Sequence, residues 1–309
     1  MSDSGAGDGG IHLPGGPHAA LLFHGLASSP LEVRFIGRLL QRAGFSVVMP
    51  TIAGYSMATT GPSWKNWLAH VETLYGTLSA QYKSVSVGGL SSGATLALAL
   101  AVRCPAVPAL AIWAVTLRYD GWAIPWYQWL FRPLYALGLG RNYAYRERAP
   151  YGLKNERWRA RVAEAMQAHK VSTAGPAAIP GDFLHQFMLL SDFVEPNLHR
   201  ISADTLIMHA ADDETSSPRN AEMVYRNIRA AHKRKILLGD SYHLITMDNE
   251  RDLVARETIR FFQQSIMRAD PEENLRLVSS ARALLRLQRR RASSPDGSAE
   301  SARDLTSGS

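Results

Sequence analysis

Val85-Ser-Val-Gly-Gly-Leu-Ser91-Ser92-Gly-Ala-Thr-Leu-Ala-Leu-Ala-Leu-Ala-Val102 is the stretch that decides the fold. A β-branched run of strand length leads into a tight G-x-S-x-G turn centred on Ser91, and a run of strong helix formers follows. A strand, turn and helix in that order make a nucleophile elbow, in which the turn lifts the Ser91 hydroxyl clear of the sheet. Gly89 and Gly93 leave room for strand and helix to approach. The helix N-terminus then faces the site, where its N–H groups and dipole favour negative charge growing on a substrate oxygen. Three fixed small residues match many unrelated chains, so the reading rests on this context and on partners elsewhere.

The partners follow from the order of the elements. Ala19-Ala-Leu-Leu-Phe23 is an apolar run of strand length that ends in the turn His24-Gly25-Leu26-Ala-Ser-Ser-Pro30, before a helix expected over Leu31 to Gly44. Leu26 is the residue placed to turn a backbone N–H toward Ser91. Phe45 to Pro50 reads as a strand. Trp64, Trp67, Leu68, Val71, Leu74, Tyr75 and Leu78 recur at the three-and-four spacing of a buried helical face. Ala109 to Val115 gives a further strand. Strands and helices in alternation imply a mostly parallel sheet with helices on both faces. The alternation returns with a strand at Asp204 to Ala210, a helix from Arg219 to Ala231, a strand at Arg234 to Leu238 and a last helix at Glu250 to Gln264. The loops after those two strands carry Asp212, Asp213 and Glu214, and then His243. Strand ends are where sites form in open α/β sheets, and Ser91, Asp213, His243 is the chain order of a serine hydrolase triad on such a sheet.

Between these halves the rhythm breaks. Seven of the seventeen residues from Tyr119 to Tyr135 are aromatic, and the charged stretch Arg141 to Arg161 holds no clear buried strand. Residues 117–199 therefore read as an inserted helical cap on a core of 18–116 and 200–268. An aromatic helix pair with Trp122, Trp126 and Trp129 is expected either to form an apolar slot for a substrate group or to glue cap to core. Residues 1–17, rich in glycine, are expected to be flexible.

Composition bounds the rest. The 309 residues are 46% hydrophobic, enough for one large globular domain, and one cysteine, Cys104, excludes a disulfide framework. The first residues hold no signal-peptide pattern and no run is long enough to span a membrane, so a cytoplasmic location is expected. The formal charge of +7 does not point to nucleic acid, because six arginines lie between Arg276 and Arg291 with no acidic residue among them. There Leu277, Val278, Ala281, Leu284 and Leu285 share a helical face, so 269–309 reads as a basic amphipathic segment and a disordered tail. Its 275–291 stretch is a candidate for peripheral membrane contact.

From Ala19 to Gln264 the chain resembles the α/β-hydrolases, and more narrowly the bacterial carboxylesterase and monoacylglycerol-lipase group. The resemblance is carried by Leu-Phe-His24-Gly25-Leu26, Gly-Leu-Ser91-Ser92-Gly, Ala-Asp212-Asp213-Glu214 with Pro218, and His243-Leu-Ile-Thr-Met-Asp248. It implies Ser91 as nucleophile, His243 as general base and acid, Asp213 rather than Asp212 as the orienting acid, and the N–H groups of Leu26 and Ser92 as oxyanion hole. Tyr242 stands where such relatives usually carry glycine. The implied activity is hydrolysis of a short- to medium-chain acyl ester or monoacylglycerol through an acyl-enzyme on Ser91, without metal or cofactor. A thioesterase or acyltransferase using the same triad is the alternative, followed by a non-catalytic binding protein of this fold.

Overall fold

The computed structural model describes residues 10–270 except 57, 58, 60, 147, 170, 173, 174 and 177. The chain divides into two compact units, 1–262 and 263–309. The first holds every element discussed below up to Phe262. Of the second, residues 263–269 continue the last helix, α8 (Arg251–Ala269), and the segment 275–291 lies outside the described residues.

The sheet is built from β1 (Ile11–Leu13), β2 (His18–Phe23), β3 (Ser46–Met49), β4 (Ser84–Leu90), β5 (Ala109–Trp113), β10 (Asp204–Ala210) and β11 (Lys233–Leu238), in the spatial order β1-β3-β2-β4-β5-β10-β11. All neighbours pair in parallel except β1, which runs antiparallel to β3. Residues 19–23 of β2 and every residue of β5 are buried, as expected for strands covered on both faces. Helix α3 (Ser92–Arg103) packs on β4 and β5 and is flanked by α2 (Trp64–Gln81) and α6 (Gly181–Asn197). Leu110 and Ile112 of β5 join that core. Trp113 alternates to the other face, where its indole N–H donates to Thr258 of α8. Helices α1 (Arg34–Arg42) and α7 (Arg219–Asn227) complete the α/β alternation.

The expectation for residues 1–17 is corrected where they are described. Ile11–Leu13 form an edge strand registered on Val47–Met49, and the Gly15 and Gly16 N–H groups donate to Ser46 Oγ and the Gly44 carbonyl. Three residues between glycines and prolines carry no periodicity; the distant strand β3 makes them a strand, and that partner is not a local property.

The cap is corrected in detail. Trp126–Leu130 is a 3-10 turn running into one short helix, α4 (Phe131–Ala136), opened by Pro125 and closed by Gly138 in the left-handed region (φ 82), so the aromatic run is not a helix pair. Beyond it lie β6 (Ala144–Arg146), α5 (Glu156–His169), β7 (Val171–Ser172), β8 (Gly175–Pro176) and β9 (Ala178–Pro180). β6 pairs with β9 and β7 with β8, both antiparallel and outside the main sheet. Tyr135 donates to Asp182, and Arg132 forms a two-armed ion pair with Asp192, fastening α4 to α6.

Candidate active site

Four loops meet at the carboxyl ends of β2, β4, β10 and β11. After β4 the chain turns within one residue. Ser91 sits at φ 58, ψ −121, a region costly for a residue with a side chain, and α3 begins at Ser92. The turn closes because nothing projects at 89 or 93. A Cβ on Gly89 would meet the Gly93 carbonyl oxygen at 2.2 Å, and one on Gly93 would meet that of His24 at 2.3 Å.

The Ser91 hydroxyl donates to His243 Nε2 at 2.8 Å. His243 Nδ1–H donates to Asp213 Oδ2 at 2.8 Å, with Oδ1 at 3.0 Å. Asp213 is fully buried. Burial alone would raise its pKa, but the charge and hydrogen bond of His243, with His209 and the Ser216 N–H, outweigh that and hold it below the usual carboxylate range. The N–H groups of Thr215 and Ser216 donate to its Oδ1, fixing the carboxylate plane. Asp212 points the other way: it is 63% exposed and lies 3.6 Å from Lys154 Nζ.

The turn after β2 is held from three sides. Burial lowers the His24 pKa to about 4, so its ring is neutral. Its Nδ1–H donates to the Gly25 carbonyl, and Nε2 accepts from Ser56 Oγ. Tyr55 donates to the His24 carbonyl and contacts Ser92 Oγ at 3.0 Å. Glu32 accepts the Gly25 N–H at 2.8 Å. The Ala27 N–H donates to the Tyr55 carbonyl, leaving Leu26 between two anchored residues beside Ser91. Ser92 is the first residue of α3, so its N–H lies outside the helical ladder.

A pocket of about 70 Å³ lies over Ser91, Leu26 and His243. Tyr119, Ile179 and Thr215 are walls both of it and of a second, apolar cavity of about 220 Å³ under the cap, lined further by Leu130, Phe131 and Met188. Trp122, Trp126 and Trp129 line neither, and are 62%, 82% and 64% exposed. The slot is built instead from neighbouring residues of the same run, because a 3-10 turn does not keep the face a regular helix would present.

Several further residues at the site were given no role in the sequence. Glu32 and Glu214 are buried carboxylates lining the small pocket, and burial raises both, Glu32 to about 6. Glu214 accepts the His243 N–H. Thr116 Oγ1 stands 3.3 Å from Ser91 Oγ. His209 is wholly buried; its Nε2–H donates to the Ser216 carbonyl at 2.8 Å and stands 3.3 Å from Asp213 Oδ2. Asp248 accepts the N–H groups of Tyr242, Lys154, Asn155 and Asn249, tying the histidine loop to the segment before α5. Of these, Asp248 and Glu214 had a signal in the sequence, as the ends of the histidine and aspartate motifs, though neither was given a role there. A buried glutamate looks like any other until the fold says which way it points.

A serine, a histidine and a buried aspartate in hydrogen-bonded line at the strand ends of an α/β sheet define a serine hydrolase of the α/β-hydrolase fold. Residues 17–250 match the Hydrolase_4 family, described as serine aminopeptidase, S33, and the chain belongs to that family. It is 26% identical over 260 residues to the thermostable monoacylglycerol lipase of Bacillus sp. (strain H-257), across 82% of this chain and 93% of that protein. It is 27% identical over 263 residues to the carboxylesterase of Bacillus subtilis (strain 168), across 81% and 94%. The solved monoacylglycerol lipase of Paleococcus ferrophilus superposes with a TM-score of 0.70 at 15% identity, covering 83% of this chain and 98% of its own, which is a likeness of fold.

Proposed function

We propose that the chain hydrolyses carboxylic esters whose acyl group is apolar and of short to medium length, monoacylglycerols among them. One observation carries this reading: the line Ser91 Oγ, His243 Nε2, Asp213 Oδ2, each step 2.8 Å, beside an apolar cavity of about 220 Å³. His243 takes the Ser91 proton as Oγ attacks the ester carbonyl. The Leu26 and Ser92 N–H groups stabilise the oxyanion, each worth about 3 kcal/mol in the transition state. Asp213 holds the imidazole tautomer and offsets its charge. His243 then protonates the leaving alcohol, and water activated by the same ring releases the acid. The acyl chain lies in the cavity under the cap while the alcohol leaves through the small pocket. The single cysteine fits a reducing compartment, and we assign the enzyme to the cytoplasm; among the described residues no helix is long and apolar enough to cross a membrane.

The test is hydrolysis of a p-nitrophenyl ester series from acetate to palmitate, with Ser91→Ala alongside and amino-acyl p-nitroanilides for comparison. We expect a chain-length optimum that vanishes in the variant, with the anilides left intact. Turnover of the anilides in preference to the esters would make the enzyme a peptidase and overturn the reading.

A further inference from the structure

Ser91 Oγ has a second neighbour besides His243. Thr116 Oγ1 stands 3.3 Å from it, fully buried and lining neither cavity, so this hydroxyl meets the nucleophile from inside the protein and not from the substrate's side. Its place is tightly set. Ala114, just past β5, takes φ 45, a left-handed conformation that is costly for a residue with a Cβ. The Ser91 N–H donates to the Trp113 carbonyl and the Thr116 N–H to that of Ser91, while the Thr95 hydroxyl of α3 donates to the Thr116 carbonyl. Thr116 has one hydroxyl hydrogen and three oxygens within reach of it: Ser216 Oγ at 3.1 Å, Ser91 Oγ at 3.3 Å and the Ala114 carbonyl at 3.5 Å. With Ser91 neutral and its own proton directed at His243, Ser216 takes the hydrogen. Ser216 is buried and its N–H is bonded to Asp213, so this resting acceptor is held in place.

The geometry points to Thr116 as a catalytic residue of the second half of the reaction: its hydroxyl turns from Ser216 to Ser91 Oγ and stabilises that oxygen as the acyl-enzyme breaks down. The assignment rests on the ester-hydrolase reading only through the acyl group on Ser91. In this half-reaction water adds to the carbonyl carbon of the acyl group, and its proton passes to His243 Nε2. The tetrahedral intermediate then collapses. The bond from carbon to Oγ breaks, its electron pair goes to Oγ, and the proton on Nε2 returns to that oxygen as the acid leaves. Negative charge grows on Oγ in this step, and a hydrogen bond to a charged oxygen is roughly twice as strong as one to a neutral hydroxyl. Rotation of one hydroxyl supplies the donor. Because the bond forms only as the charge develops, it lowers the barrier without stabilising the ground state. In acylation the same oxygen gives electron density to the carbonyl carbon, and a donor there brings no help. The two halves of the cycle should therefore separate.

The experiment compares wild type with Thr116→Val, Thr116→Ala and Thr116→Ser on p-nitrophenyl butyrate. Rapid mixing follows p-nitrophenol release, and intact-protein mass after acid quench follows the butyryl adduct. Labelling of Ser91 by a fluorophosphonate at the wild-type rate shows that a variant is folded. Valine keeps the shape without the hydroxyl, and serine keeps the hydroxyl. We expect kcat and KM of the valine and alanine variants to fall together by about tenfold, with the adduct accumulating and kcat/KM, which reads acylation, within about twofold. Thr116→Ser should behave as wild type. A parallel fall of kcat and kcat/KM in folded variants overturns the proposal, since it marks a residue that only shapes the elbow. Unchanged constants in folded variants overturn it, as does a failure of both the valine and alanine variants to label, which would make Thr116 structural. A wild type that cleaves amino-acyl p-nitroanilides and not the butyrate ester sinks the ester reading alone; the same split, sought on the p-nitrophenyl ester of that amino acid, then decides Thr116. Turnover of neither overturns both.

Discussion

The strand ends and the cap surface follow opposite rules. At the strand ends nearly every polar atom near Ser91 is fixed by a partner: Asp213 takes three N–H donors, and His24 is bonded through both ring nitrogens. On the cap, from Trp122 onward, large apolar groups stand in the open with few fixed partners. The first arrangement suits a reaction that needs atoms held within tenths of an ångström. The second suits an apolar partner of no fixed shape, for which area matters more than direction. Chemistry and substrate choice are thus carried by different parts of the chain, and a substitution can strike one without the other.

The largest break should come at Ser91. Ser91→Ala is expected to lower kcat by about a millionfold, to the level left by binding and the oxyanion hole, as measured by p-nitrophenyl butyrate hydrolysis. Next is the contrast of neighbours: Asp213→Asn should cost about ten-thousandfold in kcat, because the amide favours the wrong imidazole tautomer, while Asp212→Asn should stay within about twofold. Equal losses in the two would refute the assignment of the buried carboxylate. On the cap side, Met188→Trp should fill the cavity. Turnover of the longest accepted ester should fall about a hundredfold with the acetate ester little changed, a split no strand-end substitution should reproduce.

The smallest effect is on stability and concerns the turn after β2. His24, fully buried, has its pKa lowered from 6.5 to about 4, so the unfolded chain binds a proton that the folded one refuses between those values. Stability from this group is present above pH 6.5 and lost as pH falls toward 4, by up to about 3 kcal/mol. Glu32 acts with the opposite sign: its pKa is raised from 4.5 to about 6, so its contribution is full below pH 4.5 and lost as pH rises through 6, about 2 kcal/mol. Glu32→Gln keeps an acceptor for the Gly25 N–H and should therefore raise Tm at pH 8 more than at pH 5. Urea melts across pH 4 to 8 read both slopes, and a Glu32→Gln gain independent of pH would remove the buried charge as their cause.

The same division explains what could be read from the sequence. β2, β4 and α3 announce themselves because local pattern and tertiary role agree: apolar runs become buried strands, and G-x-S-x-G has one backbone solution. Asp213 and His243 were readable because the triad's chain order is fixed by the fold. β1 was not, since its strand character comes from pairing with β3. The tryptophans misled because aromatic density predicts contact with something apolar and not with which thing; Trp126 and Phe131 look alike in sequence, yet one faces solvent and the other the cavity. Glu32 was silent, and the burial of Glu214 could not be read from its motif, because a burial that raises a carboxyl pKa is set by loops from β2, β10 and β11 together.

The sheet order also sets a timetable. Ser91 leaves the central strand β4, but the histidine hydrogen-bonded to it lies 152 residues later, on the loop after the edge strand β11. In the proposed mechanism, synthesis from the N-terminus therefore yields a chain that owns its nucleophile long before its base. A truncated product ending before β11 has no means of deprotonating Ser91, whatever part of the sheet it has assembled. On the proposed mechanism an interrupted polypeptide is an inert one.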